Sequence, residues 1–175
     1  MRYKEFIIEG RNAVLEAFRA GKTIDKLFVL DGCQDGPVKS ILREAKKTDT
    51  IINFVDKERL DRLANSGHHQ GVVAQAAAYE YAEVEDILNA AKEKGEAPFI
   101  FILDEIEDPH NLGAIIRTAN LCGAHGVIIP KRRAVGLTAT VAKTSAGAIN
   151  YTPVAKVTNI AKTIEELKKE GMWFV

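Results

Sequence analysis

Asp104-Glu105-Ile106-Glu107-Asp108-Pro109-His110-Asn111-Leu112-Gly113-Ala114-Ile115-Ile116-Arg117-Thr118-Ala119-Asn120-Leu121-Cys122 joins a strand to a helix. The apolar run before it, Phe99 to Leu103, has the length and content of a buried strand. Carboxylates and the breaks at Asp108-Pro109 and Pro109-His110 end that strand. Asn111 can cap the following helix with its side-chain oxygen, and Leu112 to Cys122 supplies the helical body. Ile115, Ile116, Ala119 and Cys122 share one face that can pack on a sheet. Gly113, Arg117 and Asn120 fall at i, i+4 and i+7 on another. The spacing predicts a backbone gap at Gly113 beside a fixed cation, an anion site at a strand-to-helix turn.

Outward from this stretch the chain alternates strands and helices. A helix over Val84 to Lys94, stopped by Gly95, precedes it. After it come a strand from Gly126 to Ile129 ended by Pro130, a basic loop at Lys131-Arg132-Arg133, and a short helix near Thr140 to Ala146. A strand around Tyr151 to Val157 follows, then a helix capped by Thr158 or Asn159 that runs through Glu170, and a strand starting in Gly171 to Val175. This order implies a mainly parallel sheet with helices on both faces.

The first eighty residues form a smaller unit. Met1 to Tyr3 is expected to fray, and a helix over Ala13 to Ala20 has Asn12 as its cap and Gly21 as its stop. Strands over Lys26 to Leu30, Ile51 to Val55 and Val72 to Ala78 alternate with helices from Pro37 to Lys47 and, capped by Asp56, from Lys57 to Leu63. The fold class is α/β: a small N-terminal domain over residues 1–78, a short stiff linker over 79–83, and a parallel-sheet domain over 84–175.

Lys plus Arg and Asp plus Glu are both 24, so no global basic field draws in nucleic acid and any such contact must be local. Cys33 and Cys122 stand far apart in sequence with no Cys/His cluster at ligand spacing; they read as reduced thiols, with no metal site. No secretory segment or long apolar span appears, so a soluble, cytoplasmic protein is expected.

The pattern D-x-x-x-D-P-x-N-x-G-A-x-x-R-T-A resembles the first signature motif of the SpoU (TrmH-like) RNA 2′-O-ribose methyltransferases, members of the knotted SPOUT class. His69-Gln70-Gly71-Val72 and Ile8 to Leu15, I-E-G-R-N-A-V-L, are similar to parts of that family's small RNA-binding domain. Similarity lies nearest the enzymes that methylate a guanosine ribose in 23S ribosomal RNA; transfer RNA is the competing substrate. The resemblance implies S-adenosylmethionine as cofactor, RNA as partner and a homodimer.

Carried onto this sequence, the family's site residues are Arg117 and Asn111. Helix capping alone would explain Asn111, and a lone Arg on a helix is usually a solvated face. Methyl transfer needs the attacking 2′-hydroxyl to lose its proton. Arginine stays protonated to about pH 12 and above, which favours Arg117 as an electrostatic anchor for phosphate and developing alkoxide. A proton-abstracting Arg117 requires a strongly depressed pKa. For RNA contact the candidates are Arg11, Asn12, His68, His69 and Gln70, with Ser66 to Gly71 as a flexible polar loop. To these are added Lys131, Arg132 and Arg133, where open α/β sheets place ligands, and Lys143. The plain alternatives are an exposed turn and a solvated charge run.

Family members carry a second motif with a Gly-Glu-Gly core and a third with a Ser-Leu-Asn run, which form the knot, most of the cofactor pocket and much of the dimer interface. Neither is in this sequence. The expectation is therefore a truncated, inactive chain that lacks the knot segment and contains no cofactor-binding residues of its own. Such a chain should bind S-adenosylmethionine weakly and expose apolar surface around Phe99 to Leu103 and Met172 to Val175. An oxidoreductase is the other enzyme class for such a sheet, but no G-x-G-x-x-G follows a strand. A non-catalytic RNA-binding or assembly module is the remaining alternative.

Overall fold

The computed structural model describes residues 6–175, which form two compact units divided between Ala78 and Tyr79. The fraying expected at Met1 to Tyr3 lies outside the described residues.

In the first unit the order is β1 (Phe6–Glu9), α1 (Arg11–Arg19), β2 (Ile24–Leu30), α2 (Gly36–Lys47), β3 (Ile51–Val55), α3 (Lys57–Leu63) and β4 (Val72–Ala76). The sheet runs β1-β4-β2-β3, with β2 parallel to β3 and antiparallel to β4, which is in turn antiparallel to β1. Alternation along β2 sends Leu27 and Val29 into a core with Val14 and Phe18 of α1 and Val38 and Ile41 of α2. Phe28 points the other way, to Leu60 of α3 and Val73. The sequence reading missed β1, whose four residues are too short for a periodic signal. It also placed a cap at Asn12, but α1 starts at Arg11 behind Gly10, whose φ of 89° is one that glycine adopts readily.

The second unit contains α4 (Val84–Lys94), β5 (Ile100–Ile102), α5 (Pro109–Leu121), β6 (Gly126–Pro130), α6 (Ala139–Thr144), β7 (Val154–Val157) and α7 (Ile160–Lys169). Its sheet, β5-β6-β7, is wholly parallel, and β6 is buried throughout. Val127 and Ile129 pack under α5 and α6 with Leu112, Ile116 and Val141. Ile128, between them, faces α4 and α7 through Ile87 and Leu167. Both faces of the sheet are thus covered. At Gly126 α4 comes so close that an added Cβ would lie 2.5 Å from Ile87 Cδ1.

Two expectations change here. Residues 79–83 pack with the second unit: Tyr79 and Tyr81 join its core, and Tyr81 Oη accepts a hydrogen bond from Leu137 N at 2.9 Å. Met172 to Val175 is not a strand. With no strand beside it, extended backbone gains no ladder bonds; instead Met172 N donates to Leu167 O at 3.2 Å and its side chain packs on the α4–α7 core. Trp173 is 95% exposed and Phe99 46%, while Ile100 to Leu103 and Met172 are half-buried.

Candidate functional site

In the first unit the polar residues singled out by sequence meet at the start of α1. Gly10 has no side chain to cap the helix, so Gln70 does it: its Oε1 accepts from Arg11 N at 3.1 Å. Arg11 returns the contact by donating from Nε to Gln70 O at 3.0 Å. Its Nη2 reaches Cys33 Sγ at 3.6 Å and forms an ion pair with Asp35 at 2.6 Å. Asp35 in turn caps α2, accepting from Val38 N at 3.1 Å. Arg11 therefore ties the loop to two helix starts. Arg11, Asn12, Leu30, Cys33, Pro37 and Gln70 line a cleft of about 550 Å³ beside it.

The 66–71 loop is anchored, where a flexible one was expected. His69 is buried; its Nδ1 accepts from Gly71 N at 3.0 Å, which puts the ring proton on Nε2, facing Asp61 Oδ1 at 2.9 Å. Ser66 N donates to Glu9 Oε1 at 2.8 Å. Burial pushes the Glu9 carboxyl up, but hydrogen bonds from Ser66 and the Asn65 backbone, with His68 nearby, outweigh it and hold the group below its ordinary value. Of the two histidines, His68 is left exposed and His69 is a structural latch. His125 of the second unit repeats the latch: Phe99 N donates to its Nδ1 at 3.1 Å and Glu96 Oε2 lies 3.0 Å from its Nε2.

In the second unit the helix starts earlier than its sequence suggested. Asp108 is the cap, accepting from Asn111 N at 2.8 Å, with Pro109 at the first helical position. Asn111 therefore lies inside the first turn, exposed, its carboxamide without a hydrogen bond among the described residues. Gly113 is not an open gap. It is buried, and a Cβ there would overlap the Thr144 hydroxyl, which bonds to Pro109 O at 3.3 Å. Its role is to let α6 lie against α5, so the anion site predicted at this turn is not formed by Gly113. Cys122, expected on the packed face, is exposed.

Arg117 is exposed and makes no hydrogen bond or ion pair among the described residues. It stands about 12 Å along the axis from Pro109, toward the far end of α5, and about 9 Å and about 120° around from Asn111. Above the carboxyl ends of the strands, Arg133 pairs with Glu105 at 2.6 Å and Val135 N donates to Ile106 O at 2.7 Å. Both Arg133 and Glu105 have positive φ, 58° and 52°. That clamp takes up one cation of the basic loop; Arg132 is exposed, Lys131 half-buried, and Lys143 exposed on α6. Asp35, Asp61, Glu9 and Thr144 were not singled out by sequence. Asp35 stands before Gly36-Pro37 as a readable cap, whereas the others act through contacts that no local pattern reveals.

Among the described residues no helix is long and apolar enough to cross a membrane, and no group of three metal-ligating side chains occurs. Residues 7–82 match a family model described as RNA 2′-O ribose methyltransferase substrate binding, and residues 98–175 match that of the SpoU rRNA methylase family. A Bacillus subtilis (strain 168) protein provisionally named a TrmH family tRNA/rRNA methyltransferase, YacO, is 54% identical over 166 residues, 95% of this chain and 66% of that one. A Staphylococcus haemolyticus protein of the same description is 49% identical over 170 residues, 97% and 68% of the two chains. An AdoMet-bound rRNA methyltransferase structure from Sinorhizobium meliloti aligns at TM-score 0.44 and 23% identity, covering 94% of this chain and 58% of that one. The SpoU methyltransferase AviRb from Streptomyces viridochromogenes, in complex with AdoMet, aligns at 0.45 and 20%, covering 97% and 60%. The chain thus spans about two thirds of the length of the curated relatives it matches.

Proposed function

The chain belongs to the SpoU (TrmH-like) family of RNA methyltransferases, and on that premise we propose that it takes part in S-adenosylmethionine-dependent methylation of a ribose 2′-hydroxyl in 23S ribosomal RNA. The observation that carries the catalytic half of this reading is Arg117: an exposed guanidinium with no partner among the described residues, on the helix that bears the family motif.

In this reading Arg117 grips an RNA phosphate and lowers the cost of forming the 2′-alkoxide. Asn111 supplies a donor and an acceptor that orient the sugar. The first unit holds the substrate through Arg11, Asn12, His68, His69 and Gln70, with Arg11, His69 and Gln70 acting chiefly by fixing the loop. Lys131, Arg132, Arg133 and Lys143 contribute phosphate contacts. The reading extends to a homodimer, for which Phe99, Leu121 at 80% exposure and Trp173 offer apolar surface, and to a cytoplasmic location with the RNA.

S-adenosylmethionine would supply an electrophilic methyl group. The groove between α4 and α7, about 660 Å³, lies across the sheet from α5 and so from Asn111 and Arg117. No proton or methyl step is therefore assigned to that groove.

Transfer of labelled methyl to ribosomal and transfer RNA by an intact family protein carrying this chain tests the reading. Ribose methylation of 23S RNA supports it. Modification of transfer RNA alone would move the substrate, and no methylation of either would leave an RNA-binding module.

A further inference from the structure

We propose that the cleft beside Arg11 in the first unit receives a single unpaired nucleobase of the RNA substrate, one that presents two carbonyl oxygens, as uracil does. The inference rests on the RNA-binding reading of this unit and names the feature that the unit recognises. Three observations carry it.

The first is size and wall chemistry. About 550 Å³ lies within the range of roughly 300–1,000 Å³ typical of small-ligand sites, and Leu30, Pro37 and Cys33 give it apolar walls. The second is charge. The one cation at the cleft, Arg11, is already paired with Asp35 at 2.6 Å, and Asp35 keeps 43% of its side chain exposed. A phosphate entering here would meet a neutralised guanidinium and a carboxylate. A neutral base meets no such penalty.

The third is the set of polar atoms at the rim. Gln70 Oε1 is held by Arg11 N, so the Gln70 Nε2 amide hydrogens are turned away from that bond and have no partner among the described residues. Asn12 is exposed and its carboxamide is likewise unpartnered among the described residues. Gln70 is fixed in advance by its two bonds with Arg11, so its ordering on binding costs little, and Asn12 follows Arg11 in the first turn of α1. Carboxamide donors beside an apolar slot suit the carbonyl edge of a base that has left its stack, the form in which single-stranded RNA is read. The cleft contains no aromatic ring, so edge hydrogen bonds rather than stacking set the preference.

The test uses the 175-residue chain and two fluorescein-labelled RNA hairpins, one with a single bulged uridine in its stem and one with the same stem unbroken. The bulged hairpin should bind tighter by about tenfold or more, the discrimination that a good base-edge pair supplies. Asn12→Leu should bring it down to the affinity of the unbroken stem; the Asn12 side chain makes no hydrogen bond among the described residues, so the variant leaves the scaffold intact. In saturating bulged hairpin, alkylation of Cys33 should slow as the complex forms, while exposed Cys122 in the second unit serves as internal control. Equal affinity for the two hairpins, or a Cys33 that reacts in the complex as fast as in free protein, overturns the proposal and leaves RNA binding by the unit standing. If neither hairpin binds, the RNA-binding reading falls with it.

Discussion

Around the start of α1 in the first unit, Arg11, Gln70, His69 and Asp35 are bonded to one another or to nearby backbone; along α5 in the second, Asn111 and Arg117 stand exposed with no side-chain partner among the described residues. Both regions hold residues that resemble a family's functional positions, yet the physical roles differ. In the first, polar groups fix a loop and with it the Gln70 carboxamide, beside which Asn12 and His68 stand exposed. In the second, rigidity comes from below, through Ile116, Ala119 and the Gly113–Thr144 approach, and leaves the Asn111 and Arg117 side chains exposed. A polar residue's contribution to stability and its contribution to function should therefore separate in the second region and mix in the first.

The largest test of that contrast is Gly113→Val. The added side chain collides with Thr144 and should destabilise the second unit by about 3 kcal/mol, the upper end of overpacking costs, seen as a lower urea midpoint. A neutral result would mean that α6 does not lie on α5 as described. Next come the paired latches. His69→Ala and His125→Ala each leave a backbone N–H without its acceptor, at about 1–3 kcal/mol apiece. Chemical unfolding of the two variants should show losses of similar size; a silent His125 change would break the parallel.

Smaller effects separate cap from site. Asp108→Ala should cost about 1 kcal/mol through the lost cap, and Asn111→Ala no more than about 0.5 kcal/mol. Reversal of that order would restore Asn111 as the cap. Last is the acid limb. Glu9 has a depressed folded value, so its stabilisation is complete above the ordinary 4.5 and is lost as pH falls through the folded value. Glu9→Gln should flatten the first unit's loss of stability over that window, and an unchanged acid titration would remove Glu9 from the anchoring of the loop.

The strand Ile51 to Val55, rich in β-branched residues, and the helix Val84 to Lys94, stopped by Gly95, were readable from sequence because packing and local preference agree there. Asp108 and Asn111 are both able caps, and only the proline after Asp108 distinguished them. Gly113 looked outward by spacing because sequence does not show that α6 lies over it. His69 read as a loop residue because its partner Asp61 is eight positions away on α3. The motif resemblance named Arg117 and Asn111 as site residues, and in the fold both are exposed with no side-chain bond among the described residues.

The central claim is that the Arg117 guanidinium serves the reaction and nothing else. Single-turnover methyl transfer to 23S RNA by an intact family protein, with and without Arg117→Ala, measures it directly alongside the urea midpoint. The account predicts a loss of about a hundred- to a thousand-fold in rate with an unmoved midpoint. Transfer at the unsubstituted rate, or a loss matched by unfolding, would contradict it.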